Sequence, residues 1–310
     1  MNTNIINRQF QDLVSEIKAL TEKEIYHKIR EHFDKIPLET KQSFMDFFNK
    51  FGYWGKLDIN NQNYEEIELK ASVLYNHIDD FVWLYNNLCD YRSKKTLFSI
   101  LNNWYKYDFY TTSRTKENLF DDYFDLDIVK CDNNEVIVDL GAYTGDTVLS
   151  YIDNYGENSY KKIYCYEITL STFETLKENL KNNNNIEYRL KGISNEDTVM
   201  TVNNNEESLS ANTLINKEDG EIVVTTLDND IKDEITLIKM DIEGMEQKAL
   251  EGAKNHILNT HPKLLISVYH NNEDLYKIAR MIKDFNSDYK LYLRYNSSPL
   301  YPTEITLIAI

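Results

Sequence analysis

An α/β domain behind an all-helical region is the fold class this chain of 310 residues predicts. Three observations predict it. Up to residue 118 there are only two glycines, Gly52 and Gly55, and one proline, Pro37, and apolar residues recur at helical intervals of three and four. Beyond that point short β-rich runs alternate with longer helical ones, and the strands are nearly continuous in apolar residues, as in a parallel sheet covered on both faces. The last two β-rich runs, Tyr289–Tyr295 and Thr303–Ile310, are joined by a link too short for a crossover helix, so they should pair antiparallel as a hairpin. The expected domains are 1–118, helical, and 119–310, α/β.

In the helical part, Phe10, Leu13, Val14, Ile17 and Leu20 form one apolar stripe, and Leu97, Ile100, Leu101 and Trp104 another. Aromatic-rich patterns at Phe44–Phe51 and Ile67–Leu88 lie between them. Large aromatics usually serve as core, so these stripes read as packing rather than as a sugar-binding surface. In the α/β part, strands are expected at Glu135–Leu140, Lys162–Glu167, Ile186–Leu190, Glu221–Thr225, Ile235–Asp241 and Lys263–Tyr269, ahead of the terminal pair. Helices are expected at Thr147–Asn154, Leu170–Lys181, Met245–Leu258 and Asp274–Phe285.

Composition narrows the function. Asp and Glu number 51 against 34 Lys and Arg, a net charge of −17, which argues against nucleic acid and suits a cationic ligand. Cys89, Cys131 and Cys165 are too few and too scattered for a disulfide framework or a zinc site. No apolar run approaches the roughly 18 residues of a membrane helix, and the polar start MNTNIINRQF is unlike a signal peptide. The expected compartment is therefore the cytoplasm.

With glycine so scarce, VIVDLGAYTGDT stands out: Gly141 and Gly145 follow the apolar strand Val136–Leu140 and precede a helical run. Such a loop turns sharply and brings bare backbone to a ligand at the carboxyl end of a sheet. The next strand ends in Glu167, 22 residues after Gly145, where an acid can accept hydrogen bonds from both ribose hydroxyls. Neither the Gly-x-Gly-x-x-Gly dinucleotide fingerprint nor a P-loop lysine is present. Asp139 and Asp146 flank the loop instead, which disfavours a pyrophosphate and favours the sulfonium and ammonium of S-adenosylmethionine.

A second cluster lies in LIKMDIEGMEQKALEGA. Asp241 ends a central strand, and Gly244 allows the exit turn. Glu243 and Glu246 lie near a helix start, where the dipole favours negative charge. Lys239, unusual in a buried strand, is expected to pair with a carboxylate. The following strand leads to His270. Neighbouring parallel strand tips converge, so Asp241 and His270 are a candidate general base for a hydroxyl, and equally a candidate divalent-metal pair.

The runs VIVDLGAYTGDT, IYCYEIT, TTLDND, LIKMDIEGMEQKALEGA and LLISVYH, with the terminal TEITLIAI, resemble the FkbM family of S-adenosylmethionine-dependent methyltransferases over about residues 119–310. The most distinctive part is Ile-Lys-x-Asp-x-Glu-Gly-x-Glu. The resemblance implies a class I methyltransferase fold, Rossmann-like, with a seven-stranded sheet and an antiparallel C-terminal hairpin. It also implies O-methylation, commonly of sugar hydroxyls in glycans or of polyketide-type products. Carried over by position, Asp139, Gly141, Ala142, Gly145, Asp146, Glu167 and Ile168 belong to the cofactor site. Gly192 to Ser194 lie by the adenine, and Asp241, Glu243 and His270 face the transferred methyl. Many members carry Glu-Pro after the second strand, whereas Ile168 follows Glu167 here, so the local turn is expected to differ.

The expected partner is a carbohydrate or glycan-linked acceptor, with no nucleic acid and no membrane span. The helical region either caps the crevice or provides a homo-oligomer surface. Two rivals are a catalytically inactive methyltransferase-like scaffold in glycan assembly and a nicotinamide-dependent oxidoreductase. Intact motifs weigh against the first, and the missing dinucleotide fingerprint against the second.

Overall fold

The computed structural model describes residues 4–205, 209–215 and 220–310. Its chain begins with helices α1 (Ile5–Lys18), α2 (Glu22–Asp34) and α3 (Leu38–Phe51), a short hairpin of β1 (Leu57–Asp58) and β2 (Asn63–Tyr64), then α4 (Glu65–Asn87), α5 (Tyr91–Lys106) and α6 (Phe109–Ser113). Next come β3 (Glu135–Leu140), α7 (Asp146–Tyr155), β4 (Tyr160–Glu167), α8 (Leu170–Asn179), β5 (Ile186–Leu190), β6 (Gly192–Ile193), β7 (Thr198–Asn203), β8 (Thr213–Ile215) and β9 (Ile222–Thr225). The remainder is α9 (Leu227–Asp230), β10 (Leu237–Met240), α10 (Glu246–Gly252), α11 (Lys254–Thr260), β11 (Lys263–Ser267), α12 (Asp274–Phe285), β12 (Leu291–Tyr295) and β13 (Ile305–Ala309).

Two compact units emerge. The first takes the chain through residue 118 together with 268–279 and 290–305, and the second takes 119–267, 280–289 and 306–310. In the first unit the helices start on capping side chains. The Asn4 carboxamide oxygen accepts the Asn7 N–H at 2.9 Å, and Thr21 and Glu24 form a reciprocal capping box. The aromatic stripes are core, as expected: Phe33, Phe44 and Phe48 are buried, and Phe44 packs against the rings of Phe33, Phe48, Tyr107 and Tyr301. Helix α5 carries β12 with it. The Leu293 N–H donates to Ser93 Oγ at 2.8 Å, and Arg294 pairs with Asp90, the N-cap of α5, at 2.7 Å. The neighbouring charges are also engaged structurally, since Arg92 pairs with Glu117 and Lys95 donates to the Arg114 carbonyl.

The seven-stranded sheet runs β12-β13-β11-β10-β3-β4-β5. Strands β11, β10, β3, β4 and β5 are parallel, and β13 enters antiparallel to β11. The parallel strands with an antiparallel end are what the alternating pattern and terminal pair predict, and the whole is the class I methyltransferase arrangement that the FkbM resemblance implies. Residues of β3 are buried throughout, as an apolar strand between two helical layers must be.

Two elements differ from the sequence reading. The strand expected at Glu221–Thr225 forms as β9 but stands in a separate four-stranded sheet, β6-β9-β7-β8. There β9 pairs antiparallel with β7, and the cross-strand partners Val199 and Val223 are both about half exposed, so one face meets solvent. The single helix expected at Met245–Leu258 is broken into α10 and α11 at Ala253. The second helix starts on a remote side chain: the Asp228 carboxylate accepts the Asn255 and His256 N–H groups. Just before the break Gly252 passes close to the Ser194 carbonyl oxygen, which a Cβ there would meet at 1.9 Å. Among the described residues no helix is long and apolar enough to cross a membrane.

Candidate cofactor site

Strand β3 delivers the chain into the loop 141–145, which α7 then takes up. Gly141 adopts φ +75°, and a Cβ there would lie 1.8 Å from the Asp241 carbonyl oxygen, so only glycine lets the loop pass the end of β10. The Gly141 and Ala142 N–H groups both donate to the Tyr166 carbonyl, at 3.1 and 2.9 Å, which ties the loop to the end of β4. Tyr143 follows in a left-handed conformation, φ +46°, that points its N–H at Glu167 Oε2, 3.1 Å away.

Glu167 is therefore anchored on both oxygens. Its Oε1 accepts the Ile168 and Thr169 N–H groups at 2.9 and 2.7 Å. Burial pushes its pKa above the ordinary glutamate value, with the three backbone donors acting in the opposite direction. Each carboxylate oxygen has two acceptor directions, so Oε2 can still take a ligand hydroxyl.

Beneath the loop, Asp139 and Lys239 are cross-strand neighbours and form a buried ion pair at 3.0 Å, which is the pairing expected for Lys239. Lys239 Nζ also donates to the Gly141 carbonyl at 2.8 Å. Burial opposes the ammonium, but Asp139, Asp241 and Asp146 together raise its pKa. At the end of β10, the Tyr123 hydroxyl donates to Asp241 Oδ2 at 2.8 Å and lies 3.1 Å from Ser267 Oγ. Glu243 and Gly244 follow with consecutive positive φ values, +58° and +94°, and Glu246 Oε1 accepts the Ile242 N–H at 2.9 Å, closing this turn.

These elements line an open pocket whose empty space, solvent mouth included, is about 590 Å³. Gly141, Tyr143, Tyr166, Glu167 and Ile168 line it together with Lys191, Gly192, Ile193, Ser210, Asn212 and Leu214, and Asp241, Ile242, Glu243 and Met245 complete the lining. The family model for the methyltransferase FkbM domain matches residues 139–290, the stretch that builds nearly all of this site.

The chain carries an FkbM methyltransferase domain.

Among solved structures it is similar to the methyltransferase FkbM from Methylobacillus flagellatus KT, with 25% identity and a TM-score of 0.66. That superposition covers 78% of this chain and 60% of the other, so this chain spans less than two thirds of its length. Weaker likenesses are an rRNA methylase from Streptococcus thermophilus (16% identity, TM-score 0.36, covering 58% of this chain and 87% of that one) and Aeropyrum pernix fibrillarin in complex with natively bound S-adenosyl-L-methionine (11%, 0.38, 64% and 73%). No curated protein matches the chain.

Within the FkbM domain, the pocket brings together Gly141, Glu167, Ile168, Gly192, Asp241 and Glu243. The other cofactor-site positions stand behind it. Asp139 is buried with Lys239, Ala142 is buried in the loop, and Gly145 packs against Leu180. Asp146 opens α7, where its charge meets the positive helix end, and the carbonyl of the buried Ser194 faces Gly252. His270 belongs to the first unit. It is buried there, with its ring edge-on to Tyr53 at 5.5 Å and 4.3 Å from the Tyr269 ring.

Sequence reasoning missed Tyr123, Tyr143, Tyr166, Lys191 and Asn212. Tyr166 immediately precedes Glu167 and Lys191 immediately precedes Gly192, so adjacency to the motif residues was the available signal. Tyr123 lies 118 positions from Asp241, and no local spacing links them.

Proposed function

We propose that this protein is an S-adenosylmethionine-dependent O-methyltransferase that acts on a sugar hydroxyl of a glycan or glycan precursor. The observation that carries the cofactor part is the single pocket that gathers Gly141, Glu167, Gly192, Asp241 and Glu243 inside an FkbM domain. The residues present fit the ligand. Glu167 is oriented by three backbone donors, and the Asp241 and Glu243 carboxylates suit a ligand with cationic groups.

When bound, S-adenosylmethionine supplies an electrophilic methyl on a sulfonium. Glu167 would accept hydrogen bonds from the ribose hydroxyls, and Ile168, Ile193 and Leu214 would offer apolar surface to the adenine. The protein's own part would be to hold the acceptor hydroxyl against the methyl group, which supplies much of the rate, and to take up the hydroxyl proton on a base. We assign that base to His270 or Asp241. The strands that lead to them are register neighbours, Met240 opposite Ile266, with Asp241 directly after β10 and His270 three residues after β11. A divalent cation held at Asp241 is the alternative assistance. Dialysis against a chelator abolishes turnover in that case and leaves it unchanged in the other.

Sugar specificity rests on the family resemblance. The test is methyl transfer from labelled S-adenosylmethionine to a panel of free sugars, nucleotide sugars and glycan fragments, followed by mass spectrometry of the product. His270→Ala should lower turnover by ~10²–10⁴-fold with little change in cofactor affinity. Equal turnover removes His270 from the mechanism, and transfer to nitrogen or carbon acceptors alone contradicts the O-methyl assignment.

A further inference from the structure

One carboxylate that does not line the pocket holds two residues that do. Asp230 ends α9 and is the last residue of the TTLDND run, whose other members serve local structure: Thr226 caps α9 and Asp228 caps α11. Asp230 reaches across instead. Its Oδ2 accepts the Tyr166 hydroxyl at 2.6 Å, and its Oδ1 accepts Lys191 Nζ at 2.6 Å. Tyr166 adjoins Glu167, and Lys191 follows Leu190, the register partner of Glu167 on the neighbouring strand; both line the pocket. Arg189 approaches the same carboxylate at 3.6 Å. Burial works against the charged form, yet Lys191, Tyr166 and Arg189 keep the Asp230 carboxyl below the usual aspartate range, so it is ionised at neutral pH.

We infer that Lys191 is a nucleoside-binding residue of the cofactor pocket, and that Asp230 is the positioning residue that aims it. Asp230 takes one of the three ammonium N–H donors of Lys191 and leaves two for a ligand. Adenine ring nitrogens and ribose oxygens are acceptors, so a lysine in the lining supplies what its carboxylate-rich remainder lacks. Pairing with Asp230 also offsets the lysine charge, which would otherwise repel the sulfonium.

This inference rests on the reading of the pocket as an S-adenosylmethionine site, and the experiment separates the two. Calorimetric titration uses S-adenosylhomocysteine, which carries nucleoside and amino acid, and 5′-methylthioadenosine, which carries the nucleoside without the amino acid. Lys191→Met should weaken both by a similar factor, about 10- to 100-fold, as expected for a hydrogen bond from a charged donor. Asp230→Asn should weaken both by less, and the double variant by no more than Lys191→Met alone, because the two residues act as one unit. A purely structural role for Asp230 would lower the melting temperature and make the losses additive.

Unchanged affinity for both ligands in Lys191→Met overturns the inference. Loss for S-adenosylhomocysteine alone would also overturn it, by moving the lysine to the amino-acid end. Failure of the folded wild type to bind either ligand overturns the cofactor reading itself, and this inference with it.

Discussion

Asp139 and Asp241 occupy the carboxyl ends of neighbouring parallel strands and share a lysine, yet their surroundings have little in common. Asp139 lies opposite Lys239 in register, is almost fully buried, and pairs with it at 3.0 Å. Asp241 stands two residues beyond Lys239 on the same side of the chain, past the last residue of β10, and it lines the pocket. Burial pushes the Asp139 pKa up against the pull of Lys239. Asp241 takes its hydrogen bond from Tyr123, a residue remote in sequence. A displacement of one strand repeat therefore separates a carboxylate buried in an ion pair from one that lines the pocket. Residue type alone does not distinguish them; position along the strand does.

Three substitutions break or sharpen that contrast. The largest effect should come from Asp241→Asn, which lowers methyl-transfer turnover by ~10²–10⁴-fold and leaves the melting temperature close to wild type. Steady-state kinetics beside calorimetric titration of S-adenosylhomocysteine checks it, and a collapse in stability instead would make Asp241 a second Asp139. Next is Lys239→Met, which leaves the Asp139 charge buried without its partner and should cost about 3–5 kcal/mol in urea denaturation. Pairing it with Asp139→Leu should recover much of that loss, whereas equal damage in the double variant would show that the ion pair is not the cause.

The smallest effect concerns Glu167. Burial raises its pKa in the folded state, so the folded protein binds the proton more tightly than the unfolded chain does. The associated stability is complete below the ordinary glutamate value near 4.5 and is lost as pH rises through the folded value. Glu167→Gln should flatten that part of the stability profile, seen as melting temperatures that vary less with pH above about 4.5. A slope identical to wild type would show that Glu167 is not the group responsible.

How much of this was legible in the sequence depends on whether the cause is local. The strands of the main sheet were legible because a strand buried on both faces is nearly continuous in apolar residues, and Gly141 and Glu167 because loop and acid keep a fixed spacing. Strand β7, TVMTVN, was not, since an alternating and half-exposed strand resembles a loop. The break between α10 and α11 was hidden because the side chain that caps the second helix, Asp228, is far away in sequence. Lys191 and Tyr123 were missed for the same reason, as their partners Asp230 and Asp241 come from distant segments.

The central claim, that the pocket around Gly141 and Glu167 binds S-adenosylmethionine, is tested most directly by isothermal titration with S-adenosylmethionine and S-adenosylhomocysteine on the wild type and on Glu167→Ala. The account predicts that both ligands bind the wild type and that both are lost in the variant while its fold is retained. Absence of binding by a folded wild-type sample, with and without a sugar acceptor or divalent metal, would contradict it and favour a scaffold that keeps the methyltransferase fold without the chemistry.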